Sequence, residues 1–222
     1  MVGGSNPLAR SKHFPLKKKF GASPPTRLYL IRHGEVAKTG YCNGHQDVAL
    51  TDEGKKQAMR LARLLAARPI SAVYASPLQR AMIGARRIAL RHRLTVRIEP
   101  DLREKNFGKW EGLPLDEIQS QYRREWTEWL RRPDRARPSK GETYLEVEKR
   151  VLPVLDRIVR SHSGREVAVV CHGGVTRIAL CRAMGLDLEH MNRLRQDYGA
   201  INIIEYTPGR SVICLVNGRH IP

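Results

Sequence analysis

Leu28-Tyr29-Leu30-Ile31-Arg32-His33-Gly34-Glu35 begins with four apolar residues and ends in a basic, histidine-containing turn. A run that is apolar at every position suits a strand buried on both faces, and the glycine permits a tight bend at its end. The pattern recurs far downstream, where Val167-Ala168-Val169-Val170-Cys171 leads into His172-Gly173-Gly174. Ligands in open α/β sheets bind beyond the carboxyl ends of the parallel strands. Two histidines and an arginine brought there from distant parts of the chain form a candidate pocket for an anion. One histidine at a strand end is most often structural; the pair carries the reading.

Between and beyond these runs, strand and helix patterns alternate. A helix is expected from Thr51, an N-cap followed by Asp52 and Glu53, with Ala58, Leu61, Ala62 and Leu65 on its inner face. Residues 70–75 read as a strand and a helix is expected from Pro77. A short strand is expected at 95–98, and one or two short helices at 113–132. A long helix follows at 142–159, with a kink expected at Pro153. After the strand at 167–171 come a helix at 175–184 and strands at 202–206 and 212–216. The alternation predicts a three-layer α/β/α sandwich around a mainly parallel sheet.

The chain has 222 residues and 41% hydrophobic residues, enough for one domain with a full core. Residues 1–26 contain five basic residues, no acidic one, and the pairs Gly3-Gly4 and Pro24-Pro25. This composition predicts a basic, disordered extension ahead of a domain at 27–222. No apolar run is long enough to span a bilayer and no export signal is expected. Four scattered cysteines (Cys42, Cys171, Cys181, Cys214) read as reduced thiols of a cytoplasmic protein, and their spacing supports no zinc site. The formal charge is +18, but it is spread over Lys17–Lys19, several arginines of 86–97 and the segment 123–137. Without aromatic interleaving or a nucleic-acid motif, this reads as solvated basic surface rather than a nucleic-acid interface.

Five blocks then stand in order. They are the run 28–35; Asn43-Gly44-His45-Gln46-Asp47-Val48-Ala49-Leu50-Thr51-Asp52-Glu53-Gly54; Ala75-Ser76-Pro77-Leu78-Gln79-Arg80-Ala81; Leu102-Arg103-Glu104-Lys105-Asn106-Phe107-Gly108-Lys109-Trp110-Glu111-Gly112; and Val170-Cys171-His172-Gly173-Gly174-Val175. Together they resemble the histidine phosphatase superfamily, which includes cofactor-dependent phosphoglycerate mutase.

The resemblance implies His33 as the nucleophile that takes up the phosphoryl group, neutral at its attacking nitrogen. It implies Arg32 and Arg80 as the cationic cradle and His172 as a second histidine, protonated, hydrogen-bonding the transferring group. Gly173 is expected to bring its N–H to the phosphoryl oxygens, and Glu104 to act as general acid and then base. Asn43 and Gly44 match a substrate-contacting loop. Glu35 and Glu111 are expected in structural roles, and His45, His162, His190 and His220 in none of the catalytic ones. No metal and no cofactor is implied.

Where mutase-like members continue with Ser-x-Trp-Asn, this chain has Val36-Ala37-Lys38-Thr39, and residues 27–222 leave little room for insertions. The resemblance therefore leans to the phosphatase branch, and Asp197-Tyr198-Gly199-Ala200-Ile201-Asn202 is similar to α-ribazole-5′-phosphate phosphatases. The expected activity is metal-independent hydrolysis of a small phosphorylated metabolite. A phosphoglycerate mutase and a non-catalytic phospho-ligand-binding protein remain open, as does a homodimer.

Overall fold

The structure is a computed structural model describing residues 24–221. Nearly all of the expected basic extension lies outside the described residues. Thr26, counted with it above, is the first residue of β1 and pairs with Tyr206.

Six strands form one sheet: β1 (Thr26–Arg32), β2 (Ile70–Ala75), β3 (Val96–Ile98), β4 (Glu166–Cys171), β5 (Ile201–Thr207) and β6 (Arg210–Gly218). Their order is β3-β2-β4-β1-β5-β6. The first four are mutually parallel, while β5 runs antiparallel to β1, and β6 to β5. Successive side chains of a strand face opposite ways, so β1 and β4 each supply two cores. Leu28, Leu30, Val167 and Val169 meet helices α5 (Tyr144–Ser161) and α6 (Gly173–Met184). Tyr29, Ile31, Ala168 and Val170 meet α1 (Asp52–Leu65) and α2 (Gln79–His92). The three-layer sandwich is as expected. A smaller core of Phe107, Trp110 and Ile118 lies under α3 (Leu115–Gln121) and α4 (Arg123–Arg131), packed by Tyr122, Trp126 and Trp129. No helix among the described residues is long and apolar enough to cross a membrane.

Helix α5 starts at Tyr144 rather than 142, and two further helix starts that differ from expectation matter at the site. Helix α2 begins at Gln79, because Leu78 is still extended and serves as the N-cap without a capping side chain. The missing cap comes from another loop, since Asp47 Oδ1 accepts from Gln79 N at 2.9 Å. Helix α6 begins at Gly173, two residues earlier than the apolar pattern suggested. Glycine is a poor helix former, but at Gly174 a side chain would collide with the carboxylate described below. Helix α5 runs unbroken through Pro153, its first turn held by a capping box of Thr143 and Glu146.

Candidate active site

Strand register alone puts the two histidines side by side. Arg32 of β1 aligns with Cys171 of β4, so His33 and His172 follow at the same level. Ala75 aligns with Val170, which places Ser76 there as well. The imidazole centroids are 5.1 Å apart.

His33 is 6% exposed and pinned by its backbone to both neighbouring elements. Its N–H donates to Cys171 O at 3.0 Å, and its carbonyl accepts from Gly199 N at 2.9 Å. Its Nδ1 lies 2.7 Å from Gly34 O. A carbonyl can only accept, so Nδ1 carries the proton and Nε2 keeps its lone pair. Burial, then the Arg80 and Arg32 cations, push the His33 pKa well below its ordinary 6.5. This is the neutral histidine that a nucleophile requires. Gly34 is needed because a Cβ there would strike the Gly54 carbonyl. Glu35 has the expected structural role: its carboxylate accepts from the Thr51 hydroxyl at 2.9 Å, and its N–H donates to Gln57 Oε1.

His172 is fully buried at the N-cap of α6, with Nε2 2.8 Å from Ser76 Oγ and Nδ1 without a partner. Burial and the Arg80, His33, Arg32 and Arg150 charges hold its pKa well below 6.5. The protonated form expected from the sequence is therefore not the one these surroundings favour. Lost hydration and two nearby guanidinium groups act together against the extra proton.

Arg80 is a buried cation and Arg32 a half-buried one, and each is hydrogen-bonded only to backbone carbonyls. Arg32 Nη1 donates to Gln196 O at 2.5 Å, and its guanidinium stacks 3.8 Å above the Tyr198 ring. Arg80 donates from Nη1 to Gln46 O (2.7 Å) and from Nη2 to Asn43 O (3.1 Å) and Gly44 O (2.6 Å). The Nε of each lacks a partner. Burial lowers the pKa of both. A buried charge is costly unless paired, so the pair is built to receive an anion. A Cβ on Gly173 would come 3.4 Å from Arg32 Nε, which locates this glycine against the guanidinium.

Asn43 and Gly44 act first as the seat of Arg80. The same loop is gripped from its other side by Glu111, whose carboxylate accepts from the N–H groups of Gly44 (3.1 Å), His45 (2.9 Å), Gln46 (3.1 Å) and Phe107 (2.9 Å). Cation and anion thus clamp opposite ends of the same peptide dipoles. A Cβ on Gly44 would collide with this carboxylate and with Lys105 O. The structural role expected for Glu111 is found.

Glu104 lies in the loop after the 3₁₀ turn Pro100–Leu102. Its Oε1 accepts from Lys105 N and its Oε2 from Gly174 N, each at 2.9 Å. Each oxygen thus has one backbone donor and keeps further acceptor capacity. A Cβ on Gly174 would collide with Glu104 and the Tyr144 ring, which explains the second glycine of the turn. From α5, Arg150 fixes the loop by donating to the carbonyls of Asp101, Arg103 and Glu104 while pairing with Glu142.

All five catalytic candidates therefore meet in one place, with Asn43, Gly44 and Gly173 beside them. His162 lies elsewhere, bonded to the Tyr74 hydroxyl, and His190 is near Glu189 at the surface. His45 is nearer, in the Glu111-held loop, 3.9 Å from Glu142. Sequence reasoning assigned no role to Ser76, Tyr198, Gln196 or Lys105. The strand register would have indicated Ser76; Tyr198 and Lys105 sit in quoted segments and Gln196 just ahead of one, but none carries a pattern that sets it apart.

The chain is similar to known phosphatases. The phosphoserine phosphatase 1 of Hydrogenobacter thermophilus is 30% identical over 193 residues, covering 86% of this chain and 92% of that protein. The adenosylcobalamin/alpha-ribazole phosphatase of Escherichia coli K12 is also 30% identical, covering 88% and 97%. The crystal structure of the alpha-ribazole phosphatase from Shigella flexneri superposes with a TM-score of 0.81 at 30% identity, covering 89% and 98%. The family model described as histidine phosphatase superfamily (branch 1) matches residues 28–218, and the chain belongs to that family.

Proposed function

We propose that the protein hydrolyses a small phosphorylated metabolite in two displacements on His33 Nε2, without a metal ion. The observation that carries this is the Nδ1 contact with Gly34 O, which fixes one tautomer of a buried, neutral imidazole. In the first step the Nε2 lone pair forms a bond to phosphorus and the ester P–O bond breaks. Glu104 delivers a proton to the departing alkoxide. In the second step water attacks phosphorus, the Glu104 carboxylate takes its proton, and the P–N bond breaks to release phosphate and neutral His33. Arg32 and Arg80 balance the charge on the transferring oxygens throughout. A phosphoryl dianion bound among these groups offsets the arginine charges at His172, which then takes up a proton from solvent and donates to phosphate from its unpartnered Nδ1.

Hydrolysis is favoured over mutase chemistry because Val36–Thr39 replaces the mutase continuation. The names of the relatives suggest phosphoserine and α-ribazole-5′-phosphate as the first substrates to try. The test is phosphate release from both, and from 3-phosphoglycerate, in EDTA, with an alkaline quench to trap labelled phosphohistidine. Release with label on His33 is expected. Inactivity in EDTA restored by a divalent cation, or turnover without a labelled protein, overturns the scheme. Phosphate-ester binding with no turnover would favour the non-catalytic reading.

A further inference from the structure

Ser76 is fully buried just beyond the end of β2, and the scheme above gives it no task. Its N–H donates to Val170 O at 3.1 Å, which ties it to the strand that leads into His172. Its hydroxyl oxygen accepts from Leu78 N at 3.4 Å, at the N-cap of the helix that carries Arg80, and lies 2.8 Å from His172 Nε2. Among the described residues the hydroxyl has no other partner. A hydroxyl can face either neutral tautomer of a histidine, and the rest of its bonding decides between them. Here one lone pair of Oγ is taken by the Leu78 N–H, which leaves the second lone pair and the O–H. A buried O–H without an acceptor carries the full cost of its lost hydration. The acceptor within reach is the Nε2 lone pair. The O–H therefore points at Nε2, and the single proton of the neutral ring sits on Nδ1, the nitrogen without a partner in the protein.

We propose that Ser76 is a positioning residue for His172: its hydroxyl donates to Nε2 of the neutral ring and turns to accept from Nε2–H of the charged ring, so that Nδ1–H faces the phosphoryl site in both states. The inference rests on the placing of His172 at that site in the scheme above. On charging, one proton from solvent is added at Nε2, the hydroxyl rotates about its C–O bond, and Nδ1–H stays where it was. The rotation leaves the Ser76 O–H without its acceptor, so the charged ring is favoured only while a bound anion outweighs that loss. His172 thus offers its donor before any proton is taken up.

The test reads the His172 ring nitrogens of the full chain by nitrogen-15 NMR at pH 7, free and with vanadate, together with vanadate affinity. In the free wild type Nδ1 should carry the proton and Nε2 should not; vanadate should add a proton to Nε2. Ser76→Ala removes the donor and the acceptor together. Its free ring should populate both neutral tautomers, vanadate should no longer bring it to double protonation, and vanadate affinity should fall about tenfold. Ser76→Thr keeps the hydroxyl and should restore all three readings, with thermal midpoints showing that both variants fold. A proton on Nε2 in the free wild type overturns the inference without any variant. A Ser76→Ala protein whose ring and vanadate affinity match the wild type overturns it too. A folded Ser76→Thr protein that stays as defective as Ser76→Ala does the same, because packing rather than the hydroxyl then sets the ring. Should the wild type neither bind vanadate nor release phosphate, the function proposed above fails and this inference with it, whatever the ring spectra show.

Discussion

The ends of β1 and β4 carry the same words, an apolar run followed by His-Gly, yet they build different histidines. At the β1 end, the Nδ1 of His33 faces the carbonyl of the next residue, a partner that can only accept. At the β4 end, the Nε2 of His172 faces the Ser76 hydroxyl, which can donate or accept, and Nδ1 is left without a partner. The first environment locks one tautomer and exposes a lone pair. The second tolerates either tautomer and the charged form. Both are buried and nearly the same cations act on both, so the difference in proposed role comes from the hydrogen-bond partner, not from the field.

The sharpest break of this comparison is His33→Asn against His172→Asn. Loss of the nucleophile should abolish phosphohistidine and lower kcat/KM by about 10⁴-fold or more. His172→Asn should slow turnover while still trapping label on His33. Label appearing on His172 in either protein would exchange the roles. Arg80→Ala ranks next. It removes a charge seated on three carbonyls and should cost about 10³-fold on alkyl and nitrophenyl phosphates alike, because the charge on the transferring group is the same whatever leaves. A loss confined to the alkyl ester would place Arg80 at the leaving group.

How much of this was legible beforehand follows from the distances in sequence over which each feature is decided. The runs 28–31 and 167–171 announce a doubly buried strand through their own composition, so the sheet and its layers could be read locally. The start of α6 could not, because the pattern of apolar residues says nothing about Gly173 and Gly174, the second of which leaves room for Glu104. Helix α2 likewise starts late under a cap lent by Asp47, 32 residues away. The candidate site residues in the family's blocks are assigned by resemblance. Ser76, whose importance depends on the register of β2 with β4, and Lys105, whose burial depends on α5 and Ala136, carry no local mark. The charge of His172 is not legible locally for the same reason: its protonation depends on groups from three other segments, the end of β1, α2 and α5.

Glu104→Gln sharpens the comparison at the next level down, by asking what the two histidines cannot do. Neither is placed in the scheme to protonate a leaving alkoxide, so the variant should slow alkyl phosphate cleavage by about 10²-fold. Nitrophenyl phosphate, whose leaving group departs without a proton, should still phosphorylate His33 rapidly and give a burst of nitrophenol. Equal slowing of the burst and of alkyl cleavage would remove Glu104 from the acid role.

The smallest effect is on stability, and it separates the histidines without catalysis. Both have folded-state pKa values below 6.5, so the unfolded chain binds more protons once the pH falls past that value. Stability is therefore whole above about pH 6.5 and declines as the pH drops towards the folded-state values, by up to about 1.4 kcal/mol per pH unit for each histidine. His172→Asn should make the urea midpoint less sensitive between pH 6.5 and 5 than in the wild type, after allowance for carboxylates common to both. Adding vanadate should do the same in the wild type, because a bound anion raises the proton affinity of His172 while His33 keeps its proton on Nδ1. Nitrogen-15 chemical shifts of the two rings at pH 7 give the direct reading. His172 should become doubly protonated with vanadate and His33 should not. Protonation of both rings, or of neither, would mean that the Gly34 carbonyl and the Ser76 hydroxyl do not distinguish the two sites.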